Sequence, residues 1–176
     1  ILPTVYGADC AAGNGQLETL KYLMSLDIWP TEIGAAWAAG QGHLETLKYL
    51  VSLDILPEEA DEDNAADMAS ENGHLEVLKY LRSINILPSY EAADHAAGSG
   101  HLETLKYLIS YDILPTEVGA DWAARNGHLE TLKYLASLDI HPSRNAMYSS
   151  VENGHLEVVK YFMSFGFLPA TSDLYR

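Results

Sequence analysis

The sequence predicts an all-α protein, a solenoid of stacked antiparallel helix pairs, and three observations carry that expectation. The tract Gly-His-Leu-Glu-Thr-Leu-Lys-Tyr-Leu stands whole at residues 42–50, 100–108 and 127–135, with near copies starting at Gly15, Gly73 and Gly154. The six leading glycines are separated by 27, 31, 27, 27 and 27 residues, and a fixed period of this size marks one supersecondary unit stacked on itself. Within each copy the apolar residues recur at helical spacing, and each copy ends on a proline in a link of only about four residues between helices, which leaves no room for a β-hairpin.

The unit 31–57 shows how each element is specified. Thr31 follows Pro30 and precedes Glu32, a good N-cap with an acid in the first turn, so residues 32–39 are expected to form a short first helix, helix A. Ala35, Ala38 and Ala39 fall on one face, small enough to let neighbouring helices approach closely. Gly40-Gln41-Gly42 stops the helix; other copies use Asn-Gly, which tolerates the left-handed backbone of a tight reversal. A second helix, helix B, is expected over about 43–53, with Leu44, Leu47, Leu50 and Val51 as its buried stripe. Glu45 and Lys48 lie three apart on its other side, the spacing of a surface ion pair, and all six lysines occupy this one column. The column after the last turn holds Asp27, Asp54, Asn85, Asp112, Asp139 and Gly166, the residue types that accept a left-handed C-terminal cap. An apolar residue (Ile28, Ile55, Ile86, Ile113, Ile140 or Phe167) follows, able to fold back on the helix. The single repeat domain, 1–176, then divides into repeats at about 4–30, 31–57, 58–88, 89–115, 116–142 and 143–169, with 170–176 the start of a further repeat or a tail.

Composition narrows the function classes. Forty-eight per cent of the 176 residues are hydrophobic, but no apolar run is long enough to span a bilayer and no signal-peptide pattern opens the chain. No membrane association is expected. Cys10 is the only cysteine, so no internal disulfide can form, and there is no Asn-x-Ser/Thr acceptor; both favour an intracellular, cytoplasmic setting. A formal charge of −15 repels phosphate backbones and argues against nucleic-acid binding. It serves solubility, and it also attracts a protein partner with a basic surface.

These residues resemble the ankyrin repeat. The Gly-His-Leu-Glu-Val-Leu-Lys-Tyr-Leu tract of repeat three matches the start of that family's second helix, and the Ala-Ala pairs at 38–39, 96–97 and 123–124 match the end of its first. The resemblance covers nearly the whole chain. Two departures accompany it: the family period is about 33 residues, longer than the 27 here by the length of its β-turn finger, and Ile33-Gly34-Ala35-Ala36 stands where the family opens helix A with Thr-Pro-Leu-His. The resemblance therefore implies a shortened, finger-less variant.

Variation among the copies concentrates in helix A, and the resemblance implies that the start of helix A and the residues before the turn face a partner. The residues so assigned are Tyr6, Asp9, Glu32, Ile33, Asp67, Glu71, Tyr90, Glu91, Asp94, Glu117, Asp121, Arg125, Arg144, Tyr148 and Glu152. Exposed positions also drift without function, but mixed Tyr, Arg and acid is the composition of an interface. A further variable column, Cys10, Trp37, Met68, His95, Trp122 and Ser149, reads as adaptable filler between repeats. The histidines His43, His74, His101, His128 and His155 form a ladder, one per repeat. Stacked helices lie about 10 Å apart, whereas zinc ligands sit about 2 Å from the ion, so no metal is assigned; a histidine at this turn is expected to bond backbone groups left unpaired there. The acid-rich insertion at 58–63 either lengthens helix A of repeat three or precedes it as a loop. It reads first as solvated charge and second as a contact for a basic partner, since it lacks the glycine and terminal Glu of a calcium loop. No phosphate loop and no nucleophile with a neighbouring base is present, so no catalytic residue, no cofactor and no enzyme activity are expected.

The expected function is a non-enzymatic interaction module that binds a protein through helix A and the inter-helix turns. The alternative is a structural spacer that self-associates through exposed end repeats. Both ends of the sequence cut through the period, and the last helix B is the greasier one, with Phe162, Phe165 and Phe167.

Overall fold

The computed structural model describes residues 4–57 and 64–166, and twelve α-helices occupy them with no strand among the described residues. Helix A of successive repeats is α1 (Val5–Gly13), α3 (Glu32–Gly40), α5 (Ala65–Glu71), α7 (Ala92–Gly98), α9 (Glu117–Arg125) and α11 (Arg144–Glu152). Helix B is α2 (Leu17–Ser25), α4 (Leu44–Val51), α6 (Leu75–Ser83), α8 (Leu102–Ile109), α10 (Leu129–Ser137) and α12 (Leu156–Ser164). The array expected from the sequence divides by its internal contacts into two compact units, residues 1–92 and 93–176.

In the first unit each helix A packs on its own helix B, and α3 lies between α1 and α5. The second unit repeats the arrangement, with α9 against α11 and α10 and α12 on the helix B side. Close approach of the A helices follows from their alanines: Ala35, Ala38 and Ala39 are fully buried, and so are Ala120, Ala123 and Ala124. Helix B contributes the larger side chains. Leu47 and Leu50, Leu105 and Leu108, and Leu132 and Leu135 are all but inaccessible, each burial stabilising the pair by about 1.5–3 kcal/mol. The stripe is narrower than the sequence suggested. Leu44 and Val51 are half-buried, and Thr46 is the third buried member of α4. Helix α4 also stops at Val51, two residues earlier than expected, because Leu53 and Asp54 already form the cap.

Both helix ends close with the same device. The N–H of Ile28 donates to the carbonyl of Leu23 and the N–H of Asp27 to that of Met24, the paired bonds of a Schellman cap. Asp27 accordingly has φ +64°, and Asp54, Asn85, Asp112 and Asp139 lie between +62° and +66°. At the A-to-B turn, Gln16 N–H donates to Ala11 and Gly15 N–H to Ala12, with Gly15 at φ +67°. Asp and Asn hold the left-handed caps after the first five B helices and Gly166 the cap after the sixth, while glycine holds all those after helix A.

Helix A of repeat three is not lengthened: α5 begins at Ala65, with Asn64 as its N-cap accepting from the Ala66 N–H at 2.8 Å. The 58–63 insertion itself, like Phe167 and segments 1–3 and 170–176, lies outside the described residues.

Candidate binding surface

One column read from sequence as partner-facing is instead occupied by the scaffold. Asp9 and Asp94 are buried. The Asp9 carboxylate accepts the Thr31 N–H at 2.6 Å and the Thr31 hydroxyl at 3.2 Å. Asp94 accepts the Thr116 N–H at 2.6 Å, the Thr116 hydroxyl at 2.7 Å and the Gly119 N–H at 3.1 Å. Asp67 accepts from the Ser89 N–H at 2.7 Å, and Asp121 from the Ser143 N–H at 2.6 Å and hydroxyl at 2.7 Å. Each carboxylate thus fixes the residue that caps the following helix A, always 22 residues on. Asp9, Asp67, Asp94 and Asp121 thus act as inter-repeat clamps, Asp9 and Asp94 buried and Asp67 and Asp121 half-buried. Gly34 and Gly119 accompany the clamp because a Cβ there would lie 2.7 Å from Asp9 Oδ1 or 2.5 Å from Asp94 Oδ1. Ala36 takes the place of the aspartate in the one repeat whose following link carries the insertion. Tyr148, in the same column, is half-buried.

A second network spans the turns. Asn72 Nδ2 donates to the Gly40 carbonyl at 3.0 Å, Asn126 to Gly98 at 2.7 Å and Asn153 to Arg125 at 3.2 Å. The asparagines thus join one repeat to the one before it, while the glycines beside them take the left-handed backbone. At His43, His101 and His128 the histidine that opens helix B makes no side-chain cap bond to that helix. Its imidazole packs on the left-handed glycine of the preceding repeat instead: His43 on Gly15, His74 on Gly42, His128 on Gly100 and His155 on Gly127, each too close to admit a Cβ. Burial, and then the facing imidazoles His101 and His155, hold the His128 pKa below its usual value.

The column read as filler behaves largely so. Trp37 lies on Gly13, Met68 on Gly40 and Trp122 on Gly98, with Cβ positions 2.9, 3.0 and 2.8 Å from where a glycine Cβ would be. The residue before the turn is glycine where Trp37, Met68 or Trp122 packs on it, and it is Arg125 where the corresponding residue is Ser149. Trp122 still leaves 37% of its surface open.

What remains open on helix A and the turn that leads into it is a smaller set. Tyr6, Glu32, Ile33, Glu71, Tyr90, Glu91, Glu117, Arg125, Arg144 and Glu152 are exposed, Tyr6 at 67% and Tyr90 at 80%. In the first unit Tyr6 meets Trp37 edge-to-face, centroids 6.2 Å apart, beside exposed Ile33. Still in that unit, Tyr90 and Glu91 are bonded through their side chains, and that bond, with the carboxylate charge, raises the phenol pKa. In the second unit His95 and Trp122 lie 5.3 Å apart, with Val118 exposed next to them. Val118 is absent from the residues assigned by sequence, although Tyr6 and Ile33 of its column are among them; its place one turn before Trp122 is the signal that finds it.

Helix B is different in character. Each lysine bonds the glutamate three residues before it, at 2.6–3.0 Å. Lys21 and Lys106 also lie 5.5 and 5.7 Å from the rings of Tyr49 and Tyr134 on the next repeat. Its outer face is thus a repeated, internally neutralised surface, whereas helix A varies from copy to copy.

Paired short helices, alanine-lined A faces and cap clamps running from repeat to repeat define a helical-repeat scaffold. The chain belongs to the ankyrin repeat family: the family's sequence pattern matches it in three copies, over residues 9–92, 36–118 and 95–173. Comparison with curated proteins returns no match. Ankyrin repeats in general are protein–protein interaction modules and are typically non-enzymatic. Among the described residues no helix is long and apolar enough to cross a membrane.

Proposed function

We propose that the protein is a non-enzymatic scaffold that binds another protein through the exposed residues of helix A and the adjoining turns. The observation that carries this reading is the contrast between the two helix rows. Helix B repeats one neutralised Glu–Lys pair, while helix A exposes Tyr6 and Ile33 in one unit and Val118, Trp122 and Arg125 in the other. Exposed aromatic and arginine side chains are those that dominate interface energies, and apolar neighbours such as Ile33 and Val118 help exclude water around them. The excess of acid, −15 over the chain, supports a partner with a basic surface, and the single cysteine supports an intracellular location. The test is affinity capture from source-cell lysate with the wild type beside two variants, Tyr6→Ser/Ile33→Ser and Val118→Ser/Arg125→Glu. A protein held by the wild type and lost by either variant supports the reading. Equal recovery with all three baits would remove helix A as the recognition surface.

A second reading, self-association through the last repeat, is favoured by one observation. Phe165 is 63% exposed and, with Ala136, His141, Pro142, Tyr161 and Phe162, lines an apolar hollow of about 370 Å³. Light scattering across a concentration series tests it: a constant monomer mass counts against it, and a rising mass abolished by Phe165→Asp supports it.

A further inference from the structure

The links from helix B to the next helix A carry a row of side chains that the fold does not require. Trp29, Leu56 and Leu87 occupy the same position, immediately before Pro30, Pro57 and Pro88, and are 45%, 43% and 48% exposed. In the second unit Leu114, 59% exposed, and then His141 fill the position, so the fold accepts a polar residue there. Its backbone is nonetheless held firmly. Pro30 and Pro57 are buried beneath the row, and each link leaves a Schellman cap. Trp29 is further oriented by its Nε1–H, which donates to Asp27 at 3.2 Å.

Exposed carboxylates punctuate the row: Asp27 and Asp54 two residues before the apolar side chain, Glu32 and Glu91 in the turn that follows. The lysines that could neutralise them, Lys21, Lys48 and Lys79, are bonded to Glu18, Glu45 and Glu76 along their own helices. One edge of the first unit is therefore apolar at intervals of one repeat and anionic between.

We infer that this edge is a docking surface for a cationic amphipathic helix of another protein. Packed helices lie about 8–10 Å apart, and seven residues of α-helix advance about 10.5 Å. A helix laid along the edge with one apolar residue in every seven thus meets Trp29, Leu56 and Leu87 in turn, with Lys or Arg on either side facing the carboxylates. An extended strand fits poorly, because about three residues cover the same distance and successive anchors would point to opposite faces. The edge shares Glu32 and Glu91 with the helix A set, but its apolar anchors lie outside that set, and it stands whether or not Tyr6 and Ile33 bind a partner.

The probe is a fluorescein-labelled helical peptide of about three heptads, alanine-based, with leucine at every seventh position and lysines beside it, titrated with the protein by anisotropy. A peptide of the same composition with leucine at every fifth position, which scatters the anchors round the helix, is expected to bind about tenfold more weakly. Leu56→Ser/Leu87→Ser is expected to weaken the matched peptide about tenfold. Asp27→Asn/Asp54→Asn, which keeps the left-handed caps as Asn85 does, is expected to weaken it several-fold at low salt, and Tyr6→Ser/Ile33→Ser to leave it unchanged. Equal binding of the two peptides overturns the proposal, as does a folded Leu56→Ser/Leu87→Ser variant that binds as well as the wild type. If that variant does not fold, the comparison of peptide registers on the wild type decides. A dimer by sedimentation that the leucine variant dissociates would assign the edge to a second copy and also overturn it.

Discussion

Asp94 holds three donors from the following repeat, and removing it strands them. Asp94→Ala leaves the Thr116 and Gly119 N–H groups without their acceptor, so a loss of about 1.5–3 kcal/mol is expected by urea denaturation. Glu117→Lys, on exposed surface nearby, is expected to change stability by less than about 0.5 kcal/mol. Equal effects would mean that the clamp carries no special weight. The clamp was written in the sequence as an aspartate followed 22 residues later by Thr or Ser, four times over. The pattern is hard to see, because Ala36 and Tyr148 interrupt the column and a carboxylate on a short helix is ordinarily solvated. His128 gives the residue scale a pH dependence. Its folded pKa lies below the unfolded value of about 6.5, so the unfolded chain binds the extra proton first. Its contribution is unchanged above that pH and becomes destabilising as pH falls through it. Unfolding free energy measured from pH 7.5 down to 5.5 should decline, and His128→Gln should flatten the decline; an identical slope in that variant would place the effect elsewhere.

Helix pairs were largely legible from the repeat because their signals are local: the N-cap Thr31, the stopping glycine, the stripe of helix B. Leu105 is wholly buried in α8, and Leu105→Ala is expected to cost about 2–5 kcal/mol; a loss under about 1 kcal/mol by chemical denaturation would reject that packing. The turns separate two roles of glycine. Gly100 and Gly154 both have left-handed backbones, at φ +78° and +75°, but a Cβ on Gly100 collides with His128 while nothing lies within 4 Å of one on Gly154. Gly154→Ala should therefore show backbone strain alone, about 1–2 kcal/mol, and Gly100→Ala a larger loss in the same assay. What the sequence did not disclose at this scale is contact between repeats: that an imidazole would rest on a glycine 28 residues earlier, or that Asn126 would reach the Gly98 carbonyl, depends on the rotation between neighbouring pairs.

Across the whole molecule the six lysines are each paired with a glutamate, so the net −15 is carried by acids outside those pairs. Self-repulsion among them outweighs exposed i,i+3 pairs worth a few tenths of a kcal/mol each. Raising NaCl from about 20 to about 500 mM should increase the urea midpoint; a decrease would show that the pairs dominate. The candidate binding surface was legible only as a set of variable columns, because variation alone does not distinguish a residue that faces solvent from one that faces the next repeat. The fit between neighbours also bears on how such an array can change by duplication. Trp37 requires a glycine at the end of the helix before it, and Arg125 is accommodated beside Ser149. A single period copied to a new place would carry half of each fit and leave the other half behind. Lengthening this array therefore favours the transfer of adjacent repeats together, with their shared junction as the heritable unit.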